Sequence, residues 1–424
     1  MSFQTGLSGL NASSRSLDVI GNNIANANTA GMKTSRAEFS DLVASSIGVG
    51  GGGSAGIGVE VATVSQQFSQ GSINVTGSDL DVAINGGGFF QLTLTDGSPA
   101  YTRAGTFKLD KVGNIVTNTG ANLMGYPTDA AGKATSTTIQ ALQLPTSAPI
   151  GAQPTKAISA EFNLDARAPI AATVPVTPRT TYGTSLTVFD SQGATVPVSL
   201  YFERVASTGV APNVTDNWNV YDVASGGAAP DGLVPPTPGT PGTPGFQFQM
   251  QFNANGVLTS PASAPTLTIT TPSAVTPDIV ATFDISKVTQ FGANFAVSNL
   301  TQDGYAPGEL VGLKIGDNGV VTARYSNGQT QANGQIALAD FRNVQGLTPT
   351  GGGNWIETNA SGLPVQGSPG IGKFGGLRSG ALEESNVDLT AELVNMMTAQ
   401  RAYQANAQTI KTQDQIMSTL VNLR

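Results

Sequence analysis

The chain contains neither cysteine nor histidine among its 424 residues. Without them there is no imidazole base, no Ser-His-Asp or Cys-His nucleophile and no zinc site of the usual nitrogen and sulfur ligands. No disulfide can support the fold, so its stability must come from packing or from assembly. The two absences together exclude a large share of enzyme mechanisms.

Charged residues are scarce as well. They make up 11% of the chain, with 20 Lys and Arg against 28 Asp and Glu, and most of them stand singly. Nucleic-acid binders concentrate Lys and Arg on one face, and the sequence has no basic run that would do so. It also shows no cluster of carboxylate, lysine and tyrosine that could support catalysis. We therefore expect no enzymatic activity, no metal, no cofactor and no nucleic-acid partner.

Long apolar runs are missing too. No segment approaches the ~20 apolar residues that span a bilayer. The initial stretch MSFQTGLSGLNASSRS has neither the basic start nor the apolar centre of a cleaved secretory signal. We expect no membrane insertion, and either a cytosolic protein or one that is exported without signal cleavage.

Both ends of the chain carry helical periodicity. Near the start, apolar residues recur at alternating intervals of three and four, a pattern typical of coiled coils. The same spacing follows Asp388, a candidate N-cap. Neither Gly nor Pro occurs from there to Arg424, so the sequence predicts a single helix about 55 Å long. The apolar grid positions include Leu7, Leu10, Leu17 and Ile24 at the start, and Leu389, Leu393, Met396, Tyr403, Ile410, Met417 and Val421 at the end.

The stretch LDVIGNNIANANTAG, residues 17–31, combines an apolar stripe with a row of amides. On a helix, Leu17, Ile20 and Ile24 share one face, while Asn22 and Asn26 lie on another at four-residue spacing. We expect the apolar face to pack into a helical core. The amides would either hydrogen-bond between helices or line a wet channel without carrying charge. The helix should end just past Asn28.

The middle of the chain changes to the two-residue period of β-strands. Residues 88–120 read as consecutive hairpins with turns at Asp96-Gly97 and Gly113-Asn114. Stretches dense in Pro, Ala and Ser predict a boundary near 150, and a second is expected near 298. The tract PTPGTPGTPG, residues 236–245, predicts an exposed loop.

The predicted architecture is therefore multidomain α+β, with terminal helices that pair as a coiled coil and nested, mostly β domains between them. Its segments are 1–70, a helical segment with a glycine-rich hinge; 71–150 and 299–375, the two parts of one β domain; 151–298, an inserted β domain; and 376–424, the C-terminal coiled-coil helix.

Two short motifs could suggest a binding or catalytic site, but the surrounding sequence favours a structural role for each. GVGGGG, residues 48–53, fits the dinucleotide pattern, but that pattern must follow a strand and open a helix. Here a helix-like run, SRAEFSDLVASS, precedes the glycines and a strand pattern follows them, which favours a hinge. Glu383 and Glu384 are adjacent carboxylates, and we expect them to lie near the N-terminus of the last helix, where negative charge is favourable.

The first helix cannot be stable alone. Burying its four grid residues would gain about 6 to 12 kcal/mol, whereas ordering some 25 residues costs about 25 to 50 kcal/mol of backbone entropy, which intrahelical bonds only partly offset. It needs a partner. That partner is either the C-terminal helix alone, in an ordinary helical hairpin, or that helix together with further copies of the chain.

Both ends also resemble a known family. MSFQTGLSGLNASSRSLDVIGNNIANANTAGMKTSRAEFSDL and SNVDLTAELVNMMTAQRAYQANAQTIKTQDQIMSTLVNLR are similar to the terminal signatures of the axial proteins of the bacterial flagellar rod and hook. Internal segments such as QQFSQGSINVTGSDLDVAINGGGFF and YSNGQTQANGQIALADFRNVQGL resemble the hook members of that family. The resemblance covers nearly the whole chain and is weakest from about 205 to 290.

The resemblance implies a homopolymer, a curved hollow tube in the flagellar hook that encloses the export channel and acts as a universal joint between rod and filament. It implies an inner helical core, an inner β domain and an outer inserted one. Implied partners are the rod, hook cap and hook–filament junction proteins and the flagellar type III export apparatus, with an extracellular location. The distal rod subunit is the alternative within the family, and a secreted β-rich enzyme or adhesin is the alternative outside it.

Overall fold

The computed structural model describes residues 2–43, 56–145, 149–171, 182–209, 214–224, 246–271 and 275–422. These residues form two compact units: Met1–Ser147, Val311–Arg324 and Thr330–Arg424 make up unit 1, and Ala148–Leu310 with Tyr325–Gln329 make up unit 2. The glycine motif at 48–53, predicted to be a hinge, and the tract at 236–245 lie outside the described residues. The expected end of the insertion, near 298, falls twelve residues before the end of the main part of unit 2 at Leu310.

Unit 1 begins with helix α1, Ser2–Ala25, where the periodicity predicts a helix. The expected end just past Asn28 was wrong, because Ala27 and Thr29 donate to the carbonyls three residues before them, Ile24 and Asn26, and so form turns instead of helix. It continues into strands β1, Ser35–Val43, and β2, Gly56–Gln66, which pair as an antiparallel hairpin. The helix-like interpretation of SRAEFSDLVASS was wrong, because most of that run is β1. Phe39 and Leu42 stand three apart as on a helix, but pairing with the alternating strand β2 satisfies the backbone instead.

The next strands form the predicted hairpins. The first hairpin turns at Gly97 and the second at Gly113, both at positive φ, which glycine adopts without strain. The strands of this stretch are β3 Ile73–Val75, β4 Val82–Asn85, β5 Phe89–Thr93, β6 Pro99–Thr102, β7 Phe107–Leu109, β8 Ile115–Thr117, β9 Asn122–Tyr126 and β10 Gln140–Ala141.

Unit 2 consists of two sheets that share one apolar core. The core includes the fully buried side chains of Trp218, Phe202 and Phe283, and along several of the strands buried residues alternate with more exposed ones. Its strands are β11 Ala157–Asp165, β12 Gly183–Phe189, β13 Thr195–Thr208, β14 Thr215–Ala224, β15 Phe246–Phe252, β16 Leu258–Ser260, β17 Thr266–Ile269, β18 Ile279–Asp284, β19 Thr289–Phe291 and β20 Ala296–Gln302. One sheet has the order β12-β13-β14-β15-β16. In the other, of order β17-β18-β11-β19, strand β20 pairs with β11.

The chain then returns to unit 1 and completes its main sheet. The returning strands are β21 Leu310–Ile315, β22 Val320–Tyr325, β23 Thr330–Ile336, β24 Leu338–Asp340, β25 Thr348–Gly351, β26 Asn354–Ile356, β27 Val365–Gly367, β28 Gly376–Ser379 and β29 Ala381–Glu383. The main sheet has the order β21-β22-β23-β9-β5-β6-β26-β25, so three strands from the first half of the sequence lie between strands from the second half. The sheet is complete only when both halves are present.

Helix α2, Leu389–Asn422, ends the described chain. Asp388 caps it, since its carboxylate accepts hydrogen bonds from the backbone N–H groups of Thr390 and Ala391 at 2.9 and 3.2 Å. The segment 376–424 is thus not helical throughout. Its first residues form β28 and β29, which pair with β4 and β3 and attach the start of α2 to the β body.

Candidate assembly site on the terminal helices

Helices α1 and α2 pack antiparallel to each other. Gly6 faces Ile410, Gly9 faces Asn406 and Asn23 contacts Glu392, so position numbers fall on one helix as they rise on the other. The approach is close, because a Cβ atom on Gly9 would lie 2.9 Å from the Asn406 amide nitrogen. Small residues on α1 therefore let the two helices meet, as the predicted pairing requires.

A Gly9→Leu substitution is expected to lower the free energy of unfolding of the helical pair by about 1 to 3 kcal/mol, because the added side chain has no room beside α2. Gly21→Ala is the matched control. It lies on the same helix with nothing within 4 Å of the added methyl, so it should raise that free energy by about 0.5 to 1 kcal/mol. Urea unfolding followed by far-UV circular dichroism measures both changes, and equal effects would contradict the close contact.

The predicted seam residues do not share one buried face. On α1, Ile20 is buried, Leu10, Leu17 and Ile24 are half-buried, and Leu7 is exposed. On α2, Met396 and Ile410 are half-buried, whereas Leu389, Leu393, Tyr403 and Met417 are exposed; the side chain of Val421 lies outside the described residues. Since the less exposed positions of α2 are 392, 396, 399, 406, 407, 410 and 413, part of the predicted grid points away from α1. A role of these residues in assembly stays a prediction.

The amides of Asn22 and Asn26 do not bridge helices in the described part of the chain. Asn26 donates to the backbone oxygen of Asn22 at 3.0 Å and to its side-chain oxygen at 3.4 Å, within α1. The buried amide is instead that of Asn23, which is 1% exposed. It exchanges two hydrogen bonds with the backbone of Ser35, at 2.7 and 2.9 Å, and donates to Glu392 on α2 at 3.3 Å. Asn23 thus joins α1 to the start of β1 and to α2.

Sequence reasoning missed Asn23 among its neighbouring asparagines. A signal was present, because Asn23 stands three and four positions after the buried Ile20 and Val19 and so shares their face.

Replacing Asn23 with Ala should cost about 2 to 3 kcal/mol of unfolding free energy, since the part-buried N–H and C=O of Ser35 and the buried Glu392 lose their partner. Asn22→Ala should change it by less than about 0.5 kcal/mol. Thermal unfolding of the two variants decides this, and a milder effect at Asn23 than at Asn22 would refute it.

A buried ion cluster lies where both helices leave the β body. Glu383, fully buried, pairs with Lys33 at 2.6 Å and with Arg103 at 3.1 Å. Burial lowers the pKa of Lys33 and of Arg103, and pairing with Glu383 opposes that shift. Glu383 and Glu384 do line one pocket with the first residues of the last helix, as expected. The role expected for Glu383 was wrong, because its carboxylate binds Lys33 and Arg103 and Asp388 caps the helix, while Glu384 is exposed.

The cluster connects three parts of the chain. Lys33 follows α1 and also donates to the backbone oxygen of Ser69, while Arg103 donates to that of Gly86 and stacks over Phe89. Glu383 ends β29, just before α2. The partners stand 350 and 280 positions apart in sequence, so no local pattern could reveal them.

Asn386 makes a second connection beside the ion cluster. Its side-chain oxygen accepts hydrogen bonds from the N–H and hydroxyl of Thr34 at 2.8 and 2.7 Å, and its amide donates to the backbone oxygen of Gln67 at 2.8 Å. The segment that leads into α2 is therefore attached both to the end of the α1 turn and to the end of β2. These bonds hold the start of α2 in a fixed position relative to the segment that follows α1.

The described residues hold no group of three or more acidic side chains that could bind a metal ion. Among the helices that the structure describes, none is long and apolar enough to cross a membrane.

Family models match four parts of the chain: Flagella basal body rod protein at 3–33, Flagellar hook protein FlgE/F/G D1 domain at 83–156, Flagellar basal body protein FlaE D2 domain at 163–305, and Flagellar basal body rod FlgEFG protein C-terminal at 378–423. The chain is 42% identical to the flagellar hook protein FlgE of Escherichia coli strain K12 over the full length of both. It is 35% identical to FlgE of Rhizobium meliloti, covering 100% of this chain and 98% of that one.

A solved structure, the Helicobacter pylori flagellar hook protein FlgE2, superimposes with a TM-score of 0.54 at 15% identity, covering 73% of this chain and 100% of that one. This likeness concerns the fold alone. The full-length relatives carry the hook name, so the distal rod alternative is not favoured. The chain therefore belongs to the flagellar hook protein family, as a structural subunit of the hook.

Proposed function

We propose that many copies of this chain polymerise into the hook tube, with the terminal helices as the inner core. The curved hollow tube would enclose the export channel and transmit motor torque from rod to filament as a universal joint. One observation carries the assembly part of the proposal, namely the apolar surface that α2 leaves exposed in the single subunit.

That surface runs along most of α2. Leu389, Leu393 and Met397, spaced four apart, expose 43, 51 and 53% of their surface, and Met417 exposes 61%. Helix α1 packs against a different face of α2 and leaves these residues uncovered. A long helix with this much apolar surface in water is stabilised when further helices cover it. Since every copy carries the same faces, repeated head-to-tail contacts between copies would produce a tube.

The domain plan is part of the proposal. Segments 1–70 and 376–424 would supply the core and its connection, 71–150 with 299–375 the inner β domain, and 151–298 the outer one. The two compact units and the family matches at 83–156 and 163–305 support such a division.

A bent rotating tube must shorten and lengthen each row of subunits once per turn. The packed helices, held by the Glu383 cluster, would stay fixed. The β domains carry few charges and many Ser, Thr and Gly, so contacts between them could slide at low cost.

The proposal also covers the export of the subunit and the proteins that it contacts. The subunit would pass through the flagellar type III export apparatus without a cleaved signal peptide and assemble outside the cell. It would contact the rod, the hook cap and the hook–filament junction proteins, and it would have no enzymatic activity.

Polymerisation of the purified chain tests the proposal. Electron microscopy should show tubes for the full chain and none after removal of residues 1–30. Near-UV circular dichroism would check that the buried Trp218 environment of unit 2 survives the deletion. Tubes formed as readily by the shortened chain would contradict a core built from the termini. Failure of the full chain to form tubes would favour the adhesin or enzyme class.

A further inference from the structure

A cleft of about 550 Å³ in unit 1 collects positive charge. It is lined by Lys314 from β21, Arg324 from β22 and Arg378 from β28, so three strands contribute one cation each. All three residues are exposed, and none of them forms an ion pair within the residues that the structure describes. Asp79 is the carboxylate of the lining. Cations therefore outnumber carboxylates in this cleft, although the chain as a whole has a net charge of -8.

The rest of the lining suits a peptide segment. Gly312, Thr322 and Ser379 contribute short side chains or none, and Val75 adds an apolar side chain that is 61% exposed. Cations held close together repel one another, and carboxylates placed among them offset that cost. The cleft therefore fits a segment that brings more than one carboxylate together with apolar surface.

The hairpin of β1 and β2 has these properties. Asp41 on β1 and Glu60 on β2 are exposed and form no ion pair in the described part of the chain. They occupy neighbouring positions of the ladder, since Glu60 pairs with Ser40. Phe39 and Leu42 beside them expose 42 and 40% of their surface. Among the described strands, β1 and β2 pair only with each other, so the hairpin is free to enter another sheet's surroundings.

Other exposed carboxylates are engaged or isolated. Asp110 and Asp129 each hold a turn by accepting backbone N–H groups. Glu384 stands beside the buried Glu383, and Asp414 has no second acid within a turn of α2. The hairpin is thus the element that presents two unengaged carboxylates side by side.

We infer that the cleft receives the β1–β2 hairpin of a second copy of this chain, with its carboxylates among the three cations. Within one described subunit the two sets form no ion pairs with each other, so their pairing requires another molecule. Every copy carries one cleft and one hairpin, and the same contact can therefore repeat from copy to copy. This inference rests on the proposed polymerisation.

A double-mutant cycle on the full chain tests the contact. The cleft variant, Lys314→Gln with Arg324→Gln and Arg378→Gln, should raise the concentration needed for polymerisation at least about 10-fold, because the hairpin loses its cations. The hairpin variant, Asp41→Asn with Glu60→Gln, should raise it at least about fivefold. Combining both sets should be no worse than the cleft variant, since each set removes the same contact. All five residues are exposed, so the single subunit should melt at an unchanged temperature.

The matched control removes as much positive charge elsewhere in unit 1. Lys108→Gln with Lys111→Gln and Lys133→Gln changes three exposed lysines and should leave the polymerisation concentration within about twofold. Equal effects of the control and the cleft variant, additive effects of the cleft and hairpin sets, or normal polymerisation of either set would overturn the inference while the tube itself remains. Failure of the unmodified chain to polymerise would instead refute the proposed function on which the inference rests.

Discussion

A Glu383→Ala subunit is expected to lose about 3 to 5 kcal/mol of the free energy of unfolding of unit 1. The substitution leaves two buried cations, Lys33 and Arg103, without their shared carboxylate. It also removes the acceptor of the Gly71 N–H, at 3.1 Å. A domain is typically stable by about 5 to 15 kcal/mol, so this loss is a large part of the total.

Chemical unfolding monitored by far-UV circular dichroism measures the change. Glu384→Ala is the control, because that neighbouring carboxylate is exposed, and its effect should stay below about 0.5 kcal/mol. Glu383→Gln should be intermediate, since it keeps an acceptor but no charge. Equal stabilities of the alanine variants at 383 and 384 would show that the cluster does not hold the helices to the β body.

Changing Leu389, Leu393 and Met397 together to Ser should leave the subunit folded and raise its polymerisation concentration by about 30-fold or more. The three side chains are already about half exposed, so the single subunit loses little. Covering their remaining surface in a polymer would contribute about 2 to 4 kcal/mol, and each 1.4 kcal/mol corresponds to a factor of ten.

The matched control changes Gln400, Gln404 and Gln408 to Ser. These residues are exposed on the same helix, so the control reproduces the loss of helix propensity without removing apolar surface. Sedimentation at graded concentrations measures the soluble fraction of each variant. Comparable polymerisation of the two triple variants would mean that this part of α2 faces solvent in the assembled tube.

The sequence predicts the larger elements of this fold well, because their signals are local. Period and uninterrupted length predict α1 and α2, and the glycine turns at 97 and 113 predict the hairpins. Strand β1 escaped prediction because Phe39 and Leu42 have helical spacing and their strand conformation depends on a partner beyond residue 55. Tertiary pairing overrode the local pattern there.

The site was predicted less completely, for a related reason. An apolar grid shows that a helix has a face to bury but does not show which neighbour covers it. The grid on α2 therefore mixed residues that pack on α1, such as Ile410, with residues that remain exposed, such as Leu393. Glu383 acts through partners hundreds of positions away, as Asn23 does in its bond to Glu392, and a single sequence contains no signal that joins such positions.

The pairing of the chain's first and last helices also sets an order of folding. Asn23 and Glu392 stand 369 positions apart, so α1 has no helical partner until the end of the chain is available. The strands of unit 2 find their partners within residues 148–329 and can close their shorter loops earlier. A chain without its last residues therefore lacks the helix pair, and unit 1 cannot be completed until they are present.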